Sequence, residues 1–174
     1  MKLEQRCQKI RLILSDVDGV MTDGGIAFDN QGIETKQFHV RDGMGIKLWQ
    51  KSGNQFGILT ARSSHIVKVR AAELNIELVR QGFEDKLSIV NQISDELNLE
   101  LDEICFIGDD LTDLPVLNHV GLAVAVADAV EEVQSASHYK TKTPGGRGAV
   151  RELVETILKN QKRWSEVIQN YLSS

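Results

Sequence analysis

The sequence predicts an α/β protein with a doubly wound parallel sheet, and three observations carry that reading. Apolar runs of strand length recur at residues 11–15, 55–59 and 103–107. Each is rich in branched side chains without polar alternation, as in strands covered on both faces. Each run then ends in small polar or acidic residues: Asp16, Thr60, and Gly108-Asp109-Asp110. Helical patterns lie between the runs. Repeated βα alternation places such strands side by side and parallel, with helices on both faces and ligands at the strands' C-terminal ends.

From the N-terminus, the first strand ends at Asp16. An insertion with hairpin character follows at about residues 24–40, where residues 26–28 and 33–40 flank the turn-rich tetrad Asp29-Asn30-Gln31-Gly32. A helix near 44–52 leads to the strand ending at Thr60. Ser63 and Ser64 stand where they can cap the next helix, near 64–74. A short strand at 77–79, a helix opening at Lys86, and the strand into Asp109 come next. A helix near 114–118 and short strands near 122–124 and 138–140 precede the tail, 145–174. Within the tail, Val150, Leu153, Val154, Ile157 and Leu158 form a helical stripe. With no repeat, low-complexity segment or linker, residues 1–174 read as one domain.

Composition narrows the function classes. The net charge is −5 with both signs interspersed, which argues against nucleic acid as a partner. No apolar run approaches membrane-spanning length, and the first residues lack a hydrophobic signal region. Cys7 and Cys105 are too few for a disulfide framework and read as reduced thiols, so a cytoplasmic location is expected. His65, His119 and His138 lack metal-ligand spacing and read as structural; Trp49 and Trp164 read as packing residues.

The chemistry-bearing residues sit at strand ends and helix starts. In Asp16-Val17-Asp18-Gly19, the first carboxylate can attack phosphorus and hold a metal. The second, beyond the turn, can protonate a leaving alcohol and then deprotonate water. Thr60 can donate its hydroxyl and N–H to a phosphoryl oxygen. Lys86 supplies a compact cation for transition-state charge. The acidic run Asp109-Asp110-Leu111-Thr112-Asp113 suits Mg²⁺, which prefers oxygen ligands. Each cluster alone also fits a plainer role: a turn pair, a helix-entry residue, a solvated lysine, an acidic helix start. All four in order at strand ends and helix starts point to one phosphotransfer site.

These four clusters resemble those of the haloacid dehalogenase superfamily, from about residue 10 to about residue 158. The chain is more narrowly similar to its capless 3-deoxy-D-manno-octulosonate 8-phosphate phosphatase branch. That closer likeness rests on Asp16-Val-Asp-Gly-Val, residues 38–45 (Phe-His-Val-Arg-Asp-Gly-Met-Gly), residues 108–115, residues 124–129, and Gly145-Gly-Arg-Gly-Ala-Val-Arg-Glu152. The resemblance implies a Rossmann-like fold and a Mg²⁺-dependent phosphatase working through an aspartyl phosphate. Its substrate would be a phosphorylated sugar acid of lipopolysaccharide precursor synthesis. Asp16, Asp18, Thr60 and Lys86 would be catalytic. Asp16, Asp109 and the backbone carbonyl of Asp18 would hold the metal, with Asp110 and Asp113 behind them. Asp18, His39, Val40, Arg41, Asp42, Gly43, Lys47, Arg62, Arg70, Lys86 and Arg147 would bind substrate. Lys47 departs from relatives that carry arginine there, and loses its fork of donors.

The stretches from Asp18 to Thr60 and from Thr60 to Lys86 are filled by the predicted hairpin, helices and short strand. Neither can hold a separate lid, which needs roughly 50 residues for its own core. The resemblance implies a homotetramer in which hairpins meet, neighbouring subunits cover the site, and the Arg147 tail reaches a neighbour's site. A nine-carbon sialic-acid-type 9-phosphate is the alternative substrate. A phospho-Asp signalling module and an idle oligomerisation domain are more distant readings. The first would carry its phospho-acceptor after the third strand, and the second has no need of five intact catalytic residues.

Overall fold

The computed structural model describes residues 1–173. In chain order, the first half holds α1 (Leu3–Lys9), β1 (Leu12–Ser15), β2 (Ala27–Phe28), β3 (Glu34–Thr35), α2 (Val40–Lys51), β4 (Gln55–Thr60) and α3 (His65–Glu73). The second half holds β5 (Leu78–Gln81), α4 (Lys86–Leu97), β6 (Ile104–Gly108), α5 (Leu114–Leu117), β7 (Leu122–Ala125), α6 (Glu131–Ala136), β8 (Tyr139–Lys140), α7 (Ala149–Asn160) and α8 (Trp164–Leu172).

The uninterrupted apolar runs form the centre of the sheet. β1, β6 and β7 are buried at every position, because helices cover both faces. Six strands lie in the order β5-β4-β1-β6-β7-β8, and every neighbouring pair is parallel. From β1 the chain builds outward through β4 and β5, then crosses to β6 on the other side. That reversal at β1 opens a crevice at the C-terminal ends of β1, β4 and β6. Register aligns those ends: Ser15 lies opposite both Ile58 and Ile107. The backbone N–H of Asp16 then donates to the Ile107 carbonyl at 3.1 Å, so β1 delivers Asp16 directly beside the end of β6.

The tail packs as its stripe requires. Val150, Leu153, Val154, Ile157 and Leu158 are all fully buried on α7, which lies against α2. The two helices approach closely at Gly45, where a β-carbon would stand 2.9 Å from the Arg151 Cα. Asp42 ties them together, its Oδ1 accepting the Arg151 N–H at 2.9 Å.

Four local expectations change. α2 begins at Val40 rather than near 44, because His39 caps it, its Nδ1 accepting the Arg41 N–H at 3.3 Å. The Val40-Arg41-Asp42-Gly43 block is therefore the first turn of a helix. The hairpin strands shrink to two residues each and face solvent, with Asp29 Oδ1 closing the turn onto the Gln31 and Ile33 N–H groups. Ser64 occupies the cap position of α3, but its hydroxyl donates to Glu34 instead of closing the helix. Finally, α1 and α8 add helices at both ends; α1 buries only Cys7 and α8 buries no residue fully.

Candidate active site

Asp16 leaves the end of β1 with both oxygens engaged. Its Oδ1 accepts the Val17 N–H at 2.6 Å, and its Oδ2 lies 2.9 Å from the Lys86 ammonium. Lys86 is the first residue of α4, whose start is fixed by Asp85 Oδ1 accepting the Ser88 N–H. Only 1% of the lysine side chain is exposed, and its ammonium also reaches Asp113 Oδ1 at 2.6 Å. The other Asp113 oxygen accepts the Asp109 N–H at 2.9 Å, which fixes the turn after β6. Glycine is required twice here. A β-carbon on Gly108 would meet Asp113 Oδ2 at 2.3 Å, and one on Gly19, at φ +90°, would meet Asp109 Oδ2 at 2.0 Å.

Oxygens of Asp16, Asp109 and Asp113 thus gather within 4.8 Å of one another. Burial, opposed by Lys86 and reinforced by Asp113, pushes the Asp16 carboxyl up to about 6. Burial, then the charges of Asp16 and Asp113, push Asp109 up to about 8. For Lys86, burial disfavours the ammonium, but Asp16 and Asp113 outweigh it and raise its pKa. The cluster lacks positive charge. Asp109 Oδ1 is buried with no hydrogen-bond partner, and the donor set is all carboxylate. A hard divalent cation fits there. Asp16 and Asp113 each have both oxygens engaged, so Asp109 Oδ1 is the buried oxygen of the three left without a partner.

Asp18 points elsewhere. Its Oδ1 pairs with Lys36, and its Oδ2 lies 3.6 Å from Arg62 Nε. The same two cations hold Glu34: Arg62 Nη2 at 2.7 Å and Lys36 Nζ at 3.2 Å, with the Ser64 hydroxyl donating at 2.8 Å. Lys36 and Glu34 escaped the sequence reading. The available signal was their spacing of two in a predicted strand, which puts both on one face.

The remaining expected site residues scatter. Thr60 is buried at the end of β4, one strand from Asp16. Asp110 is exposed and caps the following turn, its Oδ1 accepting the Leu111 N–H at 2.7 Å, so its carboxylate does not support the cluster. Gly43 gives room to Arg70, whose Nη2 would stand 2.5 Å from a β-carbon there. Arg70 lies over the Phe38 ring, pairs with Glu73 at 2.8 Å, and keeps a buried Nε with no partner. Asp42 is buried and joins α2 to α7 through Oδ1, while its Oδ2 is buried with no hydrogen-bond partner. His39 caps α2, and Val40 is 79% exposed. Lys47 lies on the outer face of α2 beside a separate cavity with Gln50, Lys51 and Asn75. Arg41 and Arg147 share a cavity of about 420 Å³ with Arg151 and Glu155.

Within one chain, the glycine-rich segment packs against the turn that follows β1. Gly145 N–H donates to Asp128 Oδ1 and Gly146 N–H to the Val20 carbonyl, each at 2.9 Å. A β-carbon on Gly145 would collide with the Gly19 carbonyl at 1.8 Å. The segment therefore braces the turn that carries Asp18, and Arg147 Nη2 lies 3.7 Å from Asp23.

A nucleophile-ready carboxylate, a buried lysine and a cation-seeking acidic cluster at a sheet's switch point define a phosphoryl-transfer hydrolase. Comparison with known proteins agrees. Residues 66–153 match the haloacid dehalogenase-like hydrolase profile. The 3-deoxy-D-manno-octulosonate 8-phosphate phosphatase of Yersinia pestis is 45% identical, over 91% of this chain and 85% of that one. A crystal structure of the Yersinia pestis enzyme superposes with a TM-score of 0.92 at 44% identity, covering 94% of this chain and 88% of that one. The Moraxella catarrhalis enzyme, solved in complex with a magnesium ion, a phosphate ion and a KDO molecule, superposes with a TM-score of 0.95 at 39% identity, covering 97% of each chain. The chain belongs to the 3-deoxy-D-manno-octulosonate 8-phosphate phosphatase family of haloacid dehalogenase-like hydrolases.

The raised carboxyls have a consequence for stability. Between the ordinary carboxyl value of 3.8 and about 8, the folded chain holds protons that the unfolded chain has released. Without a cation, stability contributed by these groups falls as pH rises through that window. A bound cation removes the penalty, so the rise in melting temperature produced by Mg²⁺ should be larger at pH 8 than at pH 5.5. An equal or smaller rise at pH 8 would contradict this placement of charge.

Proposed function

We propose that this chain is a Mg²⁺-dependent phosphatase that hydrolyses 3-deoxy-D-manno-octulosonate 8-phosphate to the free sugar acid and phosphate, a step in lipopolysaccharide precursor synthesis. The observation that carries the reading is the arrangement of Asp16, locked by the Lys86 ammonium at 2.9 Å, with Asp18 held two residues away by different cations. Mg²⁺ at Asp16 and Asp109 would supply charge neutralisation for the phosphoryl oxygens and orient them. An oxygen of Asp16 attacks phosphorus as the bond to the sugar oxygen breaks, and Asp18 gives its proton to that oxygen. Asp18 then takes a proton from water, whose oxygen attacks phosphorus; the bond to Asp16 breaks and phosphate leaves. Lys86 stays charged throughout and offsets negative charge as it builds on the transferring group. Thr60, at the end of β4, would bind a phosphoryl oxygen.

Arg62 and Arg70 are the arginines suited to the substrate's carboxylate, since a guanidinium meets a carboxylate through two parallel hydrogen bonds. The buried, unpartnered Nε of Arg70 supports that role. His39 and Gly43 belong to the same neighbourhood through Arg41 and Arg70. A homotetramer is part of the proposal, because the hairpin leaves Ile26, Phe28 and Ile33 more than half exposed and a second copy would cover them. Light scattering should give the mass of four chains; a fully active single chain would contradict it. Among the described residues no helix is long and apolar enough to cross a membrane.

Phosphate release from a panel of phosphorylated sugar acids tests the function. The eight-carbon 8-phosphate should be cleaved fastest, and chelation of Mg²⁺ should abolish the activity. Faster cleavage of a nine-carbon 9-phosphate would move the assignment to the sialic-acid-type substrate. No release from any sugar-acid phosphate would overturn it.

A further inference from the structure

The hairpin carries a residue whose burial stability does not explain. Two-residue strands facing solvent make a hairpin too small to hold itself. Even so, the Lys36 side chain at its base is only 1% exposed. Burying an ammonium is costly, and pairing it recovers little net stability over an apolar side chain of the same size. Stability alone would favour a methionine or leucine there.

The partners of Lys36 indicate what the charge does instead. Lys36 lies between Asp18 Oδ1 and Glu34 Oε1, and Arg62 spans the same two carboxylates from the other side. Glu34 has a third donor, the Ser64 hydroxyl, which fixes it to the start of α3. Two carboxylates and two cations therefore form a closed set, anchored to the body of the protein at Ser64. Asp18 is its only member on the catalytic turn. Contacts to both Asp18 oxygens restrict where its carboxyl can point. An acid that must meet first the sugar oxygen and then a water gains from that restriction, because misplacement by an ångström costs orders of magnitude in rate.

We propose that Lys36, held in place by Glu34, is the positioning residue for the acid–base Asp18, and that the hairpin serves the proton-transfer half of the reaction. The inference rests on the phosphatase reading above. In the first step the Asp16–phosphorus bond forms, the phosphorus–sugar oxygen bond breaks, and the Asp18 proton moves to the sugar oxygen. In the second, water loses its proton to Asp18 as it displaces Asp16. Lys36 touches neither reacting atom and acts through Asp18.

The leaving group separates positioning from general support. An alkoxide leaves badly and needs the acid, whereas an aryl oxide leaves well without it. Turnover of Lys36→Met, Lys36→Arg and wild type is therefore compared on the sugar-acid 8-phosphate and on an aryl phosphate, at saturating Mg²⁺. Lys36→Met should lose on the order of tenfold or more in kcat on the sugar ester beyond any loss on the aryl ester. Lys36→Arg should recover most of that difference. If Lys36→Met does not fold, Glu34→Gln, which loosens Lys36 without burying a new group, should show the same selective loss in smaller measure. Equal losses on both esters, or none on the sugar ester, would overturn the proposal while leaving the phosphatase reading intact. A wild-type protein inactive on both esters would overturn the two together.

Discussion

The site depends on one buried ammonium. Lys86 stands between Asp16 and Asp113 at 2.9 and 2.6 Å, almost wholly out of solvent, and without it three carboxylates would face one another. At an effective dielectric constant of about 20, two unit negative charges 4.8 Å apart repel by roughly 3–4 kcal/mol. One lysine cannot neutralise all three; burial first, and then the neighbouring carboxylates, raise Asp16 and Asp109. The cluster is therefore a receptor for a divalent cation. The sheet supplies the geometry: parallel pairing of β1 with β6 sets Asp16 beside the turn of Asp109, and the start of α4 brings Lys86 to Asp16 and Asp113.

Charge is divided by task. Asp16, Asp109 and Asp113 share Lys86 and await a second cation, while Asp18 and Glu34 share Lys36 and Arg62. Neutralising Asp18 locally, from the hairpin and from the end of β4, keeps it from competing for Lys86. The two sets meet at the tight turn through Gly19, where a side chain would collide with Asp109. The Gly145–Gly146 segment presses on that turn from behind. Its glycines allow close backbone approach within one chain.

Much of this was legible in the sequence, for a physical reason. A strand buried on both faces is an apolar run, so whatever follows it is marked as a strand end; Asp16, Thr60 and Asp109 were found that way. Lys86 was legible as the opening of an amphipathic helix. Lys36 and Glu34 were not, because β3 is two residues long and ends before Lys36, and their partners, Asp18, Arg62 and Ser64, come from other elements. The settings of Asp42 and Arg147 were not legible either: Asp42 Oδ1 meets α7 and Arg147 lies near Asp23, contacts that no local pattern encodes. Of the terminal helices, α1 is short and buries only Cys7, while α8 lays Trp164 and Val167 partly buried against the core.

The central claim is that the Asp16 carboxylate itself takes the phosphoryl group. Borohydride added during turnover of the sugar-acid phosphate would reduce an acyl phosphate to an alcohol at the residue that carries it. Peptide mass mapping should then find homoserine at position 16, only when substrate and Mg²⁺ are both present. Reduction at position 18 or 109, or none at a borohydride level that traps a known acyl phosphate, would contradict the account.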